Sequence, residues 1–187
     1  MKIKLQAMLN GVAALREQYG AEAVEAVLAT CDAHVRERCE TGIAIEWHDV
    51  EEFCQFLNRA ERELGRGDQR ISEMIGAAGA ETHTRSWFKR AAMSLASPEF
   101  IFSKVTSSWR RFNDQGNFEM DELVDGRCLL SLSGVDVADP LFCATITGWA
   151  GVMAKRVGWN PARVEHIECR GRADDRCVWR TTWPPKK

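Results

Sequence analysis

The sequence predicts an α+β protein, with a helical layer over residues 1–116 packed on an antiparallel sheet that residues 117–183 form around one long helix. Three observations carry this expectation. Apolar residues recur at helical spacing through the first hundred positions. Two hairpin signals follow residue 116, and a capped helix separates them. At 187 residues and 45% hydrophobic, the chain is long enough for one full core. Residues 1–183 are therefore expected as a single domain, followed by a flexible Pro-Pro-Lys-Lys tail at 184–187.

In chain order, Leu5, Met8, Leu9, Val12 and Leu15 form one apolar face, which Gly20 ends. Val24, Val27, Leu28 and Cys31 repeat the spacing on a second helix, and a more irregular piece runs from Cys39 to Trp47. Asp49 with Glu52 three residues on reads as a capping box for a helix through Val50, Phe53, Cys54, Leu57 and Leu64. Gly65 and Gly67 close it. Ile71, Met74, Ile75 and Ala78 mark the next helix, where Gly76, Ala77 and Gly79 would let a neighbour approach closely. Trp87, Phe88, Ala91 and Leu95 mark another. Ser97-Pro98-Glu99 then caps a helix presenting Ile101, Val105, Trp109 and Phe112.

The second half begins with alternation from Phe118 to Val124, an Asp125-Gly126 turn and a return strand from Cys128 to Ser133. Asp139 and Pro140 cap a long helix that Gly158 terminates. A second hairpin runs from Val164 to Cys169 and from Cys177 to Trp183.

Composition narrows the function. Lys and Arg number 25 against 27 for Asp and Glu, a balance that argues against a nucleic-acid partner. No run has the length and apolarity of a membrane span, and the first residues lack the apolar core of an export signal. Seven cysteines, an odd number without such a signal, read as reduced thiols in a cytoplasmic protein. Glycine-rich phosphate loops, a G-x-S-x-G elbow and H-E-x-x-H are all absent, so catalysis is not expected.

The chemistry-bearing pattern is Cys143, His166, Cys169 and Cys177, spaced C-x22-H-x2-C-x7-C. Three thiols and an imidazole form the ligand set of a closed tetrahedral zinc site. Cys169 and Cys177 flank one hairpin turn, and Cys143 lies in the first turn of the preceding helix. His166 stands three residues from Cys169, so a regular strand would point the two to opposite faces. A bulge or a strand end near 167–169 is needed to bring both inward, with Glu165 and Glu168 as the alternative fourth ligands. Cys31, Cys39, Cys54 and Cys128 read as core thiols, and His34, His48 and His83 as isolated cap or surface residues. The aromatic residues Trp87, Phe88, Trp109, Phe112 and Trp149 read either as core or as the lining of an apolar pocket.

The segment from Glu165 to Cys177 resembles the C-terminal signature of 4-vinyl reductase domains, which the aromatic-sensing domains of phenol-responsive bacterial activators share. Cys143 falls where those sensors carry a further cysteine on the preceding helix. The resemblance implies a structural Zn2+ held by Cys143, Cys169 and Cys177. His166 stands where the sensors have an acid, and Ala173 where their turn has glycine. Ser97-Pro98-Glu99-Phe100 and Trp109-Arg110-Arg111-Phe112 resemble an uncharacterised bacterial family grouped by fold with haem nitric-oxide sensors and TRAPP trafficking subunits. The haem sensors' Tyr-x-Ser-x-Arg motif is absent, since Tyr19 is the only tyrosine.

These resemblances imply a signalling module that binds an apolar or aromatic molecule between helices and sheet. Its output would pass through a homodimer or a downstream protein. The alternative is a dimeric interaction scaffold without a soluble ligand, pairing through the stretch at 76–80.

Overall fold

The computed structural model describes residues 1–91, 109–137 and 139–185, with residues 84–91 described by backbone alone. The Ser97-Pro98-Glu99 cap and the positions Ile101 and Val105 lie outside the described residues, as do the side chains of Trp87 and Phe88. The elements are β1 (Lys2–Lys4), α1 (Gln6–Tyr19), α2 (Ala21–Ala29), α3 (Ala33–Thr41), β2 (Trp47–Asp49), α4 (Val50–Leu64) and α5 (Arg70–Ala91). They continue with β3 (Asn117–Val124), β4 (Arg127–Ser133), α6 (Pro140–Arg156), β5 (Arg163–Glu168) and β6 (Cys177–Thr182). The architecture is the α+β arrangement the sequence predicts.

The sheet is antiparallel, in the order β3-β4-β6-β5. Gly126 adopts φ 84° in the turn between β3 and β4, which suits the glycine of an Asp-Gly hairpin. Asp139 caps α6 through Oδ1, which accepts the backbone N–H of Leu141 at 2.7 Å and of Phe142 at 3.2 Å. One buried cluster runs from Ile3 and Leu5 through Phe53, Phe56 and Met153 to Trp179, joining the helical layer to the sheet.

Three local expectations change. The two helices predicted around Ile71 and Trp87 are one helix, α5, because no breaker interrupts residues 80–87. The piece read as irregular from Cys39 begins inside α3, and β2 closes it by pairing with β1, a three-residue strand that periodicity cannot register. Asp49 stands at the N-cap of α4 but makes no side-chain cap bond, and Glu52 instead pairs with Arg38 at 2.9 Å. The α5 start is satisfied from outside: Glu61 on α4 accepts the Ser72 N–H at 2.8 Å.

His48, expected as a cap or surface residue, is 2% exposed on β2, with Nδ1 3.5 Å from Glu52 Oε2. Burial, helped by Arg38, pushes its pKa down to about 4. The unfolded chain therefore binds the extra proton between pH 6.5 and pH 4, while the folded chain does not. Stability is full above pH 6.5 and is expected to fall by up to about 2 kcal/mol as the pH drops to 4, after allowance for screening. Thermal melts across this window should show the slope in wild type and a flatter one in His48→Phe. An equal slope in both would place the proton elsewhere.

Candidate metal centre and adjoining cavity

The β5–β6 hairpin and the first turns of α6 build one cluster. Pairing runs His166 to Trp179 and then Glu168 to Val178, so Ile167 is an extra residue on β5. Of the bulge or strand end that alternation calls for, the structure has the bulge, and it leaves Ile167 exposed while His166 and Cys169 turn to the same side. The ligand atoms of Cys143, His166, Cys169 and Cys177 all lie within 4.8 Å of one another. Cys143, Cys169 and Cys177 are each at most 2% exposed. Glu165 pairs instead with Arg180 at 2.7 Å, and Glu168 faces Arg176 at 3.7 Å. That leaves His166 as the fourth member.

The turn is folded around these sulfurs. The Cys169 N–H donates to Asp174 Oδ2 at 2.6 Å, and the Arg170 N–H points at Cys177 Sγ at 3.5 Å. Arg170–Arg172 forms a single 3₁₀ turn, closed by Ala173 at φ 70°. A non-glycine residue in this left-handed region is uncommon.

The electrostatics suit a cation. Cys143 Sγ and Cys177 Sγ are 3.5 Å apart, near the ~3.8 Å edge of a tetrahedron with ~2.3 Å zinc–sulfur bonds. Within this pair the Cys177 pKa is lowered, first by the hydrogen bond from Cys143 and then by His166 beside it, against the effect of burial. The Cys143 thiol is correspondingly raised. His166 Nε2 is buried without a hydrogen-bond partner, a costly arrangement for a ring nitrogen unless something else takes up its lone pair. The donor set, its spacing and this orphaned nitrogen fit a four-coordinate soft divalent cation.

Beside the cluster lies a cavity of about 360 Å³. Its walls come from α1 (Gln6, Asn10), α5 (Ile75, Gly79, His83), β3 (Phe118) and α6 (Phe142, Thr145, Ile146, Trp149), with Trp109, Phe112 and Asn113 closing one side. Of the aromatic residues singled out from the sequence, Trp109, Phe112 and Trp149 line it. Trp109 stacks on Phe118 at 5.3 Å, and Trp149 meets Phe118 edge-on at 5.9 Å. His83, expected as a cap or surface residue, lies on the wall with its ring edge against Phe112 at 5.0 Å. Burial and then Arg111 lower its pKa, so it is neutral at neutral pH. The signal that could have found it is the i, i+4 series Ile75, Gly79, His83 along one helix face.

The remaining cysteines stand apart. Cys39, Cys54 and Cys128 are buried, and burial raises each thiol. Half-buried Cys31 donates to Val27 O at 3.6 Å. His34 is exposed on α3. Gly76 does not offer a free docking face, because it packs against the Thr145 backbone of α6. Among the described residues no helix is long and apolar enough to cross a membrane.

No family model matches the chain, and no curated protein matches it. Solved structures do. An H-NOX protein from S. oneidensis in the Fe(II)NO ligation state superposes with a TM-score of 0.73 at 10% identity, covering 97% of this chain and 99% of that one. The chain has the H-NOX fold. A Cs H-NOX mutant carrying 4-cyano-L-phenylalanine gives 0.69 at 14% identity over 98% of each chain. An H-NOX structure from work on haem distortion gives 0.68 at 14%, covering 99% of this chain and 97% of that one. The H-NOX fold thus extends over both the cluster and the cavity.

Proposed function

We propose that the chain is a small-molecule-binding sensing module with a structural zinc centre, a binding protein rather than a catalyst. The observation that carries this reading is the aromatic-walled cavity of about 360 Å³ between the helices and β3, a size within the range of ligand pockets. Among the described lining residues His83 is the only titratable one, so an uncharged apolar or aromatic molecule suits the walls and no acid–base pair faces it. Neutral His83 supplies a hydrogen-bonding group for orienting such a ligand.

Haem, the group named with the H-NOX structures, meets a poor donor set. Of the four histidines, His48 is buried on β2, His166 belongs to the cluster and His34 is exposed, so only His83 borders the cavity. No Lys or Arg stands among the described lining residues to meet haem's propionates. Tyr19, the one tyrosine available for a Tyr-x-Ser-x-Arg motif, is 42% exposed at the end of α1.

Zinc held by Cys143, His166, Cys169 and Cys177 pins the β5–β6 hairpin to α6. Four protein ligands would leave no open position, which makes the site structural. The shared cysteine spacing supports kinship with 4-vinyl reductase domains, and the continuous buried cluster supports one domain over 1–183. The signal would leave through a second copy of the chain or a separate partner protein.

A thermal-shift screen of neutral aromatic and lipid-like compounds tests the cavity. A ligand at about a hundred times its Kd should raise Tm by about 5–10 °C. Gly79 gives a matched blocking variant: the nearest atom to a Cβ built there is Asn10 Nδ2 at 4.0 Å, so Gly79→Leu fills the cavity without a backbone clash. That variant should fold and lose the shift. A screen with no stabilising compound, or a Soret band in purified protein, would overturn the reading.

A further inference from the structure

The ring beside the metal cluster carries one more assignment, which rests on the zinc reading above. His166 lies directly across the β5–β6 ladder from Trp179. Their rings stack with centroids 4.7 Å apart and planes 9° from parallel. Trp179 is fully buried, at 0% exposure. Its Nε1 donates to Thr147 Oγ1 at 3.1 Å, and Thr147 Oγ1 donates to the Cys143 carbonyl at 3.3 Å. One indole therefore touches the ring of one candidate ligand and, through one hydroxyl, the backbone of another.

A metal-bound imidazole needs its plane fixed so that the lone pair points at the ion, and the groups that fix it tune affinity strongly. At this site the buried face of Trp179 lies along the His166 ring, whose Nε2 is the atom left without a partner. We propose that Trp179 is the positioning residue of the metal centre: its face sets the plane of His166, and its N–H ties that plane to the helix carrying Cys143. Trp179 does not touch the metal. Removing its ring frees the imidazole to rotate about its own side chain, and the fourth donor then swings away from the three sulfurs. Cutting the Thr147 tie loosens the same ring from α6 while leaving the stack in place.

The test uses the full chain loaded with zinc, and separately with cobalt(II), whose visible ligand-field bands report tetrahedral geometry. Zinc affinity is measured by competition with a chromophoric chelator. Trp179→Phe keeps a flat ring against His166 but loses the N–H, so it should bind zinc about 3–10-fold more weakly than wild type with tetrahedral cobalt bands retained. Trp179→Leu should bind about 10–100-fold more weakly, with weakened and shifted cobalt bands at temperatures well below unfolding. Thr147→Val cuts the same Nε1–Oγ1 bond and keeps the stack, so it should match Trp179→Phe, about 3–10-fold weaker than wild type. A merely structural tryptophan would lower Tm in Trp179→Leu but leave the cobalt bands of the folded protein alone. Wild-type affinity and spectrum in Trp179→Leu would overturn the assignment. If that variant fails to fold, Thr147→Val decides, and zinc binding within twofold of wild type overturns it. Failure of the wild type to take up either ion sinks the zinc reading itself, which separates the two outcomes.

Discussion

If the cluster holds zinc as proposed, a strong chelator at neutral pH is expected to lower Tm by more than about 10 °C, and Cys169→Ser or Cys177→Ser should do the same without chelator. The argument starts from what holds the β5–β6 turn. Its residues are mostly polar and exposed, and its only deeply buried side chains are the two sulfurs. A turn so poor in apolar contacts gains little from burial, and on the proposed zinc reading a four-coordinate ion binding only the folded arrangement would supply the difference. Without it, three thiols and His166 Nε2 stay packed within 4.8 Å, with the ring nitrogen unsatisfied. A loss of about 5 kcal/mol corresponds to the stated drop for a chain of this size. Cys128→Ser is the control, since Cys128 is equally buried on β4 and outside the cluster. It should cost a few degrees at most and keep full chelator sensitivity. Wild-type protein whose Tm ignores the chelator would make the cluster four ordinary core side chains.

How far the sequence reaches depends on how local each determinant is. Asp125-Gly126 and Asp139-Pro140 act within their own four-residue windows, and both appear where the residues predict. The candidate metal cluster was legible because ligand chemistry and strand alternation together demand a bulge or a strand end there, and Ile167 supplies the bulge. The β1–β2 pair was not legible, because Lys2 to Lys4 finds its partner more than forty residues away. The same limit hid Trp179. Nothing in its neighbours says that an indole on β6 will stack on the imidazole of β5, since that contact depends on the register set by the bulge. His83 was hidden differently: its helix face is readable, but that the face borders a cavity depends on α1 and β3. The Asp49–Glu52 spacing points the other way, for a local signal was outcompeted when Arg38 captured Glu52.

The glycines of α5 show this division most sharply, and they give the second large effect. A Cβ on Gly76 would overlap the Thr145 carbonyl of α6, and a Cβ on Gly148 would overlap the Glu73 carbonyl of α5. Each glycine thus admits the other helix's backbone, and neither obstacle is a side chain that can rotate away. Gly148→Ala or Gly76→Ala should therefore cost about 3 kcal/mol or more, a fall in Tm of about 6–12 °C. An alanine in an open helix interior instead gains up to about 1 kcal/mol over glycine. Gly79→Ala meets that condition, with open space around its Cβ, and is expected to be neutral or stabilising. Three residues apart on one helix, the same substitution should change sign. The damage should also spread, because α6 carries Cys143 on one turn and Trp149 on another. Pushing it off α5 opens both the metal cluster and the cavity wall, so Gly148→Ala should bind zinc more weakly as well as melt earlier. Equal stability of Gly148→Ala and Gly79→Ala in a thermal melt would mean the helices can separate freely, and that the close crossing does not hold the two sites together.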